Sequence, residues 1–389
     1  MKKTVCTILA ILLVFMLAAC GGGTGSSAPA AQPVKDSSAA APAPAGQEPE
    51  LNITQIYGSG PNGETAASSA DLELTDEEIQ QLADGGFKVA ICMHQTDNAV
   101  NYTKMEVMRQ AFEDYGIEVV AVTDAQQDPA KMQSDVESAI AHSPDLIVSC
   151  CADQDSNVAT FEMVKEQGIQ MVFYEVPPAG WKAGEDYAAL ISSDYEGNGR
   201  FAGEYMAWLL NYTGTVGVVY LDANVWTCNV RDQAFRDVIA QYPDMEIVAE
   251  SGFAEVSLAG AAADGILANH PDIDGIYATW DDPAEQVMAS AVAAGRDDII
   301  ITTTDLGDNT ARVIAENGPI KAVGAPSSYT DGMAITHAAC YALLGKELPS
   351  TFIVTPTTGV ARSNVLEAYE LIYNKPASSE LTAAWEAAQ

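Results

Sequence analysis

Short apolar runs rich in valine and isoleucine alternate with longer amphipathic stretches along most of the chain after Gly86. This alternation is typical of strand–helix units that build parallel sheets, whose strands are buried on both faces. The predicted strands form two sets, 88–93, 117–123, 145–150, 170–175 and 187–192, then 215–221, 246–251, 274–279, 298–303 and 320–324. Because one core rarely grows this large, we predict an α/β protein with two doubly wound parallel-sheet domains.

Polar residues follow most of these runs, at the end of an open parallel sheet where ligands bind. Helix capping by Asp or Asn explains part of this pattern, and we assign Asp128 and Asp282, each followed by proline, to capping. Capping does not explain Trp280, which ends an apolar run beside Asp281. An indole at a strand end is either a wall of a binding cleft or a core residue beneath the following helix.

The N-terminus has the features of a secretory signal: Lys2 and Lys3, an apolar stretch over 5–17, and small residues before Cys20. The small residues resemble the bacterial lipoprotein cleavage box, in which the cysteine becomes the lipid-bearing N-terminus. We therefore predict a signal peptide over 1–19 and a protein anchored through Cys20 to the extracytoplasmic face of the bacterial cell membrane. Two acyl chains would give stable anchoring.

Residues 20–70 are predicted to be a disordered tether, since glycine, serine, alanine and proline dominate their first part. A short helix is predicted over 71–86. Thr75 and Glu78 have the spacing of a capping box at its start, and Gly85 and Gly86 end it.

The formal net charge of −36, with 54 acidic against 18 basic residues, argues against nucleic acid as a partner. Apart from Cys6 and Cys20, five cysteines stand in apolar contexts, and an odd number argues against a complete disulfide framework. We interpret them as small hydrophobic residues. They are Cys92, Cys150, Cys151, Cys228 and Cys340.

Several motifs in a fixed order resemble those of the periplasmic sugar-binding proteins of the ribose and galactose type, whose domains also occur in lactose-repressor-like regulators. The motifs are Asp194 followed by Gly197, Asn229-x-Arg231-x-x-Ala234-Phe235, Asp281-x-x-Ala284, and Thr303-Thr304-Asp305. The resemblance extends from about residue 87 to about residue 373. Alanine at 234 replaces the usual glycine, and Gly197 comes one position early.

The resemblance implies two α/β domains joined by a three-strand hinge that close over a ligand. The N-terminal domain would comprise 87–193 and 328–348, and the C-terminal domain 194–327 and 349–389, with the segment 351–356 in the second domain. It also implies a monomeric, non-catalytic protein without cofactor or metal, which delivers a sugar or polyol to an ABC permease.

The same resemblance implies a ligand site in the cleft. Sugars need planar polar groups for their hydroxyls and aromatic faces for their C–H patches. The implied contacts are Asn98, Tyr102, Glu175, Asn229, Arg231, Phe253, Trp280, Asp281 and Asp305. Relatives carry two aromatic residues after the first strand, where this chain has Val100 and Asn101. We therefore favour an inositol, an amino sugar or a modified pentose over ribose or glucose.

Other interpretations stay open at this point. Arg231 is either a ligand contact or a structural ion pair near the hinge. The protein could feed a membrane sensor or chemoreceptor instead of an importer, or be a nucleoside-binding lipoprotein. A zinc-like site is the least favoured alternative, because its candidate ligands match no compact zinc motif. Those candidates are Cys92, His94, Cys150 and Cys151.

Overall fold

The computed structural model describes residues 46–389 of the 389-residue chain. The predicted signal peptide, Cys20 and the first part of the predicted tether lie outside the described residues. The strands are β1 Ala66–Ser68, β2 Lys88–Met93, β3 Glu118–Asp124, β4 Leu146–Ser149, β5 Gln170–Tyr174, β6 Ala189–Ser193, β7 Gly214–Leu221, β8 Met245–Phe253, β9 Gly275–Ala278, β10 Ile300–Thr304, β11 Ile320–Ala325, β12 Phe352–Thr355 and β13 Thr358–Ala361.

The helices begin and end close to the predicted capping signals. They are α1 Asp76–Gly85, α2 Ala99–Asp114, α3 Pro129–Ile140, α4 Val158–Glu166, α5 Tyr195–Leu209, α6 Trp226–Ile239, α7 Ala259–Asn269, α8 Asp281–Ala293, α9 Asp308–Ala315, α10 Ser328–Leu344, α11 Val365–Tyr373 and α12 Ser379–Ala387. The Thr75–Glu78 capping box and the Asp128 cap are both present. The assignment of Asp282 was wrong, because α8 already begins at Asp281 and Trp280 is the residue before it.

Two sheets carry the fold, and they repeat one another. The first has the order β1-β12-β6-β5-β4-β2-β3 and the second β13-β11-β10-β9-β7-β8. Within each, five strands follow the same doubly wound order, so β2 to β6 correspond to β7 to β11. All neighbours are parallel except β13, which pairs antiparallel with β11. The predicted fold class is confirmed, and each sheet with its helices is called a lobe below.

The chain passes between the lobes three times, after β6, after β11 and after β12. One segment lies elsewhere than predicted. Residues 351–356, assigned to the second domain, contain β12, which pairs in parallel with β6 and β1 of the first sheet. A short apolar strand does not reveal its neighbours, and here the pairing places the third crossing after this strand instead of before it.

The predicted tether also needs correction for its described part. Ala66–Ser68 form an edge strand, and Leu51, Ile53 and Ile56 pack against buried residues of the two lobes. These three apolar side chains are separated by one and then two polar residues, a local pattern that the average composition of residues 20–70 conceals. The five cysteines in the described chain are free and buried, as predicted.

Helix α5 follows the first crossing and packs closely against α6, which carries Arg231. A Cβ at Gly199 would overlap the backbone carbonyl of Arg231, and one at Gly203 would press on Val238. Only glycine allows the two helix backbones to come this near. The position of Arg231 therefore depends on a glycine of another helix.

We predict that Gly199→Ala destabilises the protein by about 1–3 kcal/mol through overpacking. The matched control is Gly265→Ala in α7, where an added Cβ meets nothing within 4 Å. That change should be neutral or stabilising by up to about 1 kcal/mol, because alanine favours the helix. Urea denaturation of both variants measures the difference, and equal stabilities would show that the α5–α6 contact relaxes freely.

Candidate ligand-binding cleft

Two carboxylates occupy equivalent places in the two lobes. Glu175 follows β5 and Asp305 follows β10, the corresponding strand of the second sheet. Both residues have left-handed backbones, with φ of 55° and 64°. This conformation costs on the order of 1–3 kcal/mol for a residue other than glycine and occurs often at functional sites. Each lobe therefore presents one acidic side chain from a strained turn at a strand end.

A cation from an equivalent helix pairs with each carboxylate. Lys104 is the sixth residue of α2 and forms an ion pair with Glu175, whereas Arg231 is the sixth residue of α6 and lies 3.5 Å from Asp305, measured from Nη1 to Oδ2. Helices α2 and α6 both follow the first strand of their sheet's repeat. The two lobes thus carry the same cation–carboxylate pair, with different residues.

Lys104 is the more deeply buried cation, with 1% of its surface exposed. Its ammonium group also lies 3.5 Å from Asp331 Oδ2 and 5.2 Å from the centre of the Tyr174 ring. Burial alone would raise the pKa of Glu175, but the charges of Lys104 and His94 outweigh it and lower that pKa. Glu175 is therefore an anion at neutral pH, held by a buried lysine.

Asp331 extends this pair into the hinge. It lies in the first turn of α10, just after the second crossing, and accepts hydrogen bonds from Ser193 Oγ, at 2.9 Å, and from Thr355 Oγ1. Ser193 ends β6 and Thr355 ends β12, so both lie at the other crossings. One buried carboxylate thereby joins all three crossings to Lys104.

The Arg231 guanidinium is held on three sides. Besides the Asp305 pair, Nε donates to Thr279 Oγ1 at 3.2 Å, and Nη2 lies 3.3 Å from Cys228 Sγ. Both open interpretations of Arg231 thus have support: it forms an ion pair, and that ion pair belongs to the candidate site.

Two aromatic rings lie close to the Arg231 guanidinium. Its guanidinium carbon lies 5.4 Å from the centre of the Trp280 ring and 5.8 Å from that of Tyr195. Trp280 is half-buried and meets Phe253 edge-to-face, with 5.6 Å between ring centres. The indole therefore packs on the core at one edge and stands beside the charged residues, rather than being enclosed beneath α8.

Asp281 is a second acidic group in the second lobe, beside Asp305. Burial, followed by the charges of Asp305 and Asp282, raises its pKa well above the usual value. Its Oδ1 accepts a hydrogen bond from the Asp282 backbone N–H at 3.0 Å, as expected for the first turn of a helix. The residue therefore starts α8 and adds an acceptor near Asp305.

The two sets of side chains face each other. Tyr195, just past the first crossing, adds a small contribution to the lowered pKa of Glu175, after those of Lys104 and His94. The charge of Glu175 in turn contributes to the raised pKa of Asp305, after burial and against the effect of Arg231. Ala99 at the start of α2 packs on the core of the second lobe. Trp226 at the start of α6 meets Phe352 of the first sheet, with ring centres 6.2 Å apart. The lobes are thus in contact around the strand ends.

Two residues of the predicted site lie apart from this group. Asn229 is exposed on α6, where its amide nitrogen lies 3.3 Å from Asn224 Oδ1. Tyr102 is 54% exposed and lines a groove between α2, α10 and the end of α11. Asn98, another residue of the predicted site, accepts a hydrogen bond from the Asn101 backbone N–H and so caps the start of α2.

The residues that could form a zinc-like site in the structure differ from the predicted ones. Among the described residues, His94, Cys150 and Glu175 bring potential ligand atoms within 4.8 Å of one another. Cys92 and Cys151 lie in a different core cluster from Cys150. The Lys104 ammonium already binds Glu175, and burial lowers the pKa of His94 and raises that of the Cys150 thiol. A metal ion would have to compete with a lysine for its only anionic ligand.

Sequence reasoning missed Lys104, Tyr195 and Asp331. The pattern contains a signal for Lys104, because Asn101, Lys104, Met105 and Met108 follow the spacing of one buried helix face. A lysine on such a face is rare unless it is paired. No comparable signal distinguishes Asp331, because its partners Lys104 and Ser193 are far away in sequence and Thr355 follows 24 residues later.

Two α/β lobes, three crossings and polar strand ends that meet between the lobes define a hinged solute-binding protein. A family model described as a periplasmic binding protein domain matches residues 89–347, so the chain belongs to that family. The predicted family is confirmed, and proteins of this family act outside the cytoplasm. No helix among residues 46–389 is long and apolar enough to cross a membrane.

The individual relatives share only a low sequence identity with this chain. A protein of Actinobacillus succinogenes named D-apiose import binding protein is 26% identical over 243 residues, which cover 62% of this chain and 76% of that protein. An ABC transporter solute-binding protein of Agrobacterium vitis, solved with α-D-tagatopyranose, has a TM-score of 0.66 at 21% identity and covers 74% of this chain and all of its own. An ABC transporter solute-binding protein from Bacillus halodurans, solved with myo-inositol, has a TM-score of 0.63 at 21% identity. The match covers 73% of this chain and 97% of that protein. These structures are similar to this chain in fold.

We predict that Lys104→Met destabilises the protein by about 3–5 kcal/mol at neutral pH, because it leaves Glu175 and Asp331 buried without a cation. The matched control is Lys165→Met. Lys165 forms an ion pair with Asp186, but its side chain is 43% exposed. That change should cost less than about 1 kcal/mol.

The Lys104→Met deficit should also depend on pH. In the unaltered protein the lowered pKa of Glu175 contributes stability that is present above its unfolded pKa and lost as pH falls through the folded value. In the variant, burial is no longer opposed and the pKa values of both carboxyls rise, so acid relieves the cost. Denaturation at several pH values should show the deficit shrinking from pH 7 towards about pH 4. A constant deficit would contradict the electrostatic explanation.

Proposed function

We propose that this protein captures a sugar or polyol between its lobes and delivers it to an ABC importer without changing it chemically. The observation that carries the proposal is the meeting of two equivalent cation–carboxylate pairs, Lys104–Glu175 and Arg231–Asp305, beside the half-buried Trp280. Carboxylates accept hydrogen bonds from ligand hydroxyls, and the indole face suits C–H patches. A ligand that contacts both pairs would favour the closed arrangement.

The charge balance supports a neutral ligand. Lys104 and Arg231 each have carboxylate partners already, and Asp281 adds a further acidic group. A sugar acid or sugar phosphate would find no unpaired cation among these side chains. The names of the relatives point the same way, since they mention apiose, tagatose and myo-inositol, all of which are uncharged. The ligand that we propose is a pentose, ketohexose or cyclic polyol.

The ligand contacts that we propose are Glu175, Arg231, Phe253, Trp280, Asp281 and Asp305, with Asn98 at the start of α2. We place Lys104 and Asp331 behind Glu175 as groups that fix its charge and position. Asn229 and Tyr102 are omitted, because one is exposed on α6 and the other lies in an outer groove.

The test begins with a thermal-shift screen of sugars, polyols, sugar acids and nucleosides, because a ligand that binds the folded state raises the melting temperature. We expect neutral sugars or polyols to stabilise the protein. A shift with nucleosides alone would favour a nucleoside-binding protein, and a shift with sugar acids alone would contradict the charge argument.

We predict that Asp305→Asn weakens binding of the ligand found in that screen by about 5- to 150-fold, as expected for a lost charged hydrogen bond of about 1–3 kcal/mol. The control is Asp264→Asn on the exposed face of α7 in the same lobe, which should leave affinity unchanged. Titration calorimetry measures both. Equal affinities of the Asp305 variant and the unaltered protein would remove this residue from the site.

We also propose that the mature protein is a monomer held on the membrane by lipid at Cys20. The spacing of the N-terminal signal supports this, and the acidic surface would suit a permease with basic patches. We propose transport by a permease rather than signalling by a sensor, and the import role named for the A. succinogenes relative supports this choice.

We predict that Cys20→Ala, expressed in a bacterium that processes lipoproteins, releases the protein from the membrane fraction and abolishes labelling by radioactive palmitate. Cys340→Ala is the matched control, since that cysteine is buried in the described fold. It should leave both readouts unchanged. Membrane retention of the Cys20 variant would mean that another feature holds the protein there.

A further inference from the structure

A segment that precedes the family match connects the two lobes beside the hinge. We call residues 46–65 the N-terminal strap. It starts on the second lobe, passes the first crossing and ends on the first lobe, where the chain continues into β1. The family model begins only at residue 89, so the strap is an addition to the matched domain.

The strap is anchored first on the second lobe. Tyr205 on α5 donates to Glu48 Oε1 at 2.8 Å, and the Leu51 carbonyl accepts a hydrogen bond from the Gly359 N–H at 2.8 Å. Asn52 forms an antiparallel bridge with Thr358 at the edge of the second sheet. Leu51 and Ile53 pack against the cluster that contains Phe201 and Tyr205. This end of the strap is thus bound by main-chain and apolar contacts.

The middle of the strap is bound at the hinge itself. Asp194, 1% exposed at the first crossing, accepts hydrogen bonds from the Tyr57 N–H at 2.9 Å and the Gly58 N–H at 3.1 Å. The same carboxylate accepts from the Gly197 N–H at 3.0 Å, which caps α5. The Tyr57 ring lies under the Arg200 guanidinium, 4.8 Å away. The aspartate of the Asp194 motif therefore binds the strap as well as its own helix.

The far end of the strap belongs to the first lobe. Ile56 packs on the core cluster that contains Phe352 and Val354 of β12. The Thr65 carbonyl accepts a hydrogen bond from Ser350 Oγ at 2.7 Å, and β1 follows directly with its pairing to β12. These contacts fix the strap to the edge of the first sheet.

The strap has little slack between its two anchors. Ile53 packs on the second lobe and Ile56 on the first, only three residues later. Three residues span at most about 10 Å even when fully extended. A hinge motion that separates these two surfaces must therefore release one of the anchors.

We propose that the N-terminal strap is a fourth connection between the lobes, which limits opening of the cleft and favours the closed arrangement. Opening has to break the Asp194 hydrogen bonds or detach Ile53 or Ile56, in addition to bending the three crossings. The proposal concerns the hinge and does not depend on which ligand the cleft binds.

The test compares two ligand-free proteins, one that begins at Gly46 and one that begins at Ser59. Both retain β1 and everything after it. We expect the shorter chain to have a larger radius of gyration by small-angle X-ray scattering, and amide hydrogen exchange at the three crossings to be about tenfold faster. Identical scattering and exchange in the two proteins would overturn the proposal.

A point variant covers the case in which the shorter chain does not fold. Gly58→Pro removes one of the two strap N–H groups that bind Asp194, and Ser59→Pro, at the next and exposed position, is the matched control. Faster exchange at the crossings in the Gly58 variant alone supports the strap as a restraint. Equal exchange in both proline variants and the unaltered protein contradicts it.

Discussion

The Lys104 ammonium group between Glu175 and Asp331 is the interaction on which the rest of the site depends. Two carboxylates cannot stay ionised at this depth without a cation, because burial penalises the charged form. Asp331 also accepts hydrogen bonds from Ser193 and Thr355 at two other crossings. The charge of Glu175 is thus balanced by the same lysine that pairs with Asp331 at the hinge. A contact made with Glu175 in the cleft acts on groups that also determine how the lobes are joined.

The internal repeat explains why two such pairs exist. The five-strand order recurs in both sheets, so the turn after the fourth strand and the helix after the first strand lie side by side in each lobe. Glu175 and Asp305 occupy that turn, and Lys104 and Arg231 occupy that helix at the same position. The two pairs use different residues but occupy equivalent positions in the two lobes. Lysine pairs with two carboxylates in the hinge-side network, whereas the planar guanidinium of Arg231 is held by Thr279, Cys228 and Asp305 beside Trp280.

The sequence predicted what local pattern determines and missed what pairing over long distances determines. The strand and helix alternation, Glu175 and Asp305 at strand ends, and Arg231 in its motif all come from residues that are near one another in the chain. The neighbours of β12, much of the surface on which Ile53 and Ile56 pack, and two partners of Asp331, Lys104 and Ser193, are more than a hundred residues away in the chain. The residues next to them in sequence do not identify these partners. The position of Asn229 was missed for a different reason. Side chains two residues apart in a helix point about 160° apart around its axis, so Asn229 is exposed where Arg231 is buried.

The same balance of charges bears on how the lobes can close. If one lobe carried both cations and the other both carboxylates, the lobes would attract each other without a ligand and would change strongly with salt. Instead each lobe neutralises its own pair before the two meet, and the raised pKa of Asp281 favours its neutral form beside Asp305. Electrostatic attraction across the cleft must then come from what lies between the pairs, in addition to the apolar contacts of Ala99 and Trp226. A neutral molecule with many hydroxyls can supply it, because it can accept from one pair's cation and donate to the other pair's carboxylate at the same time.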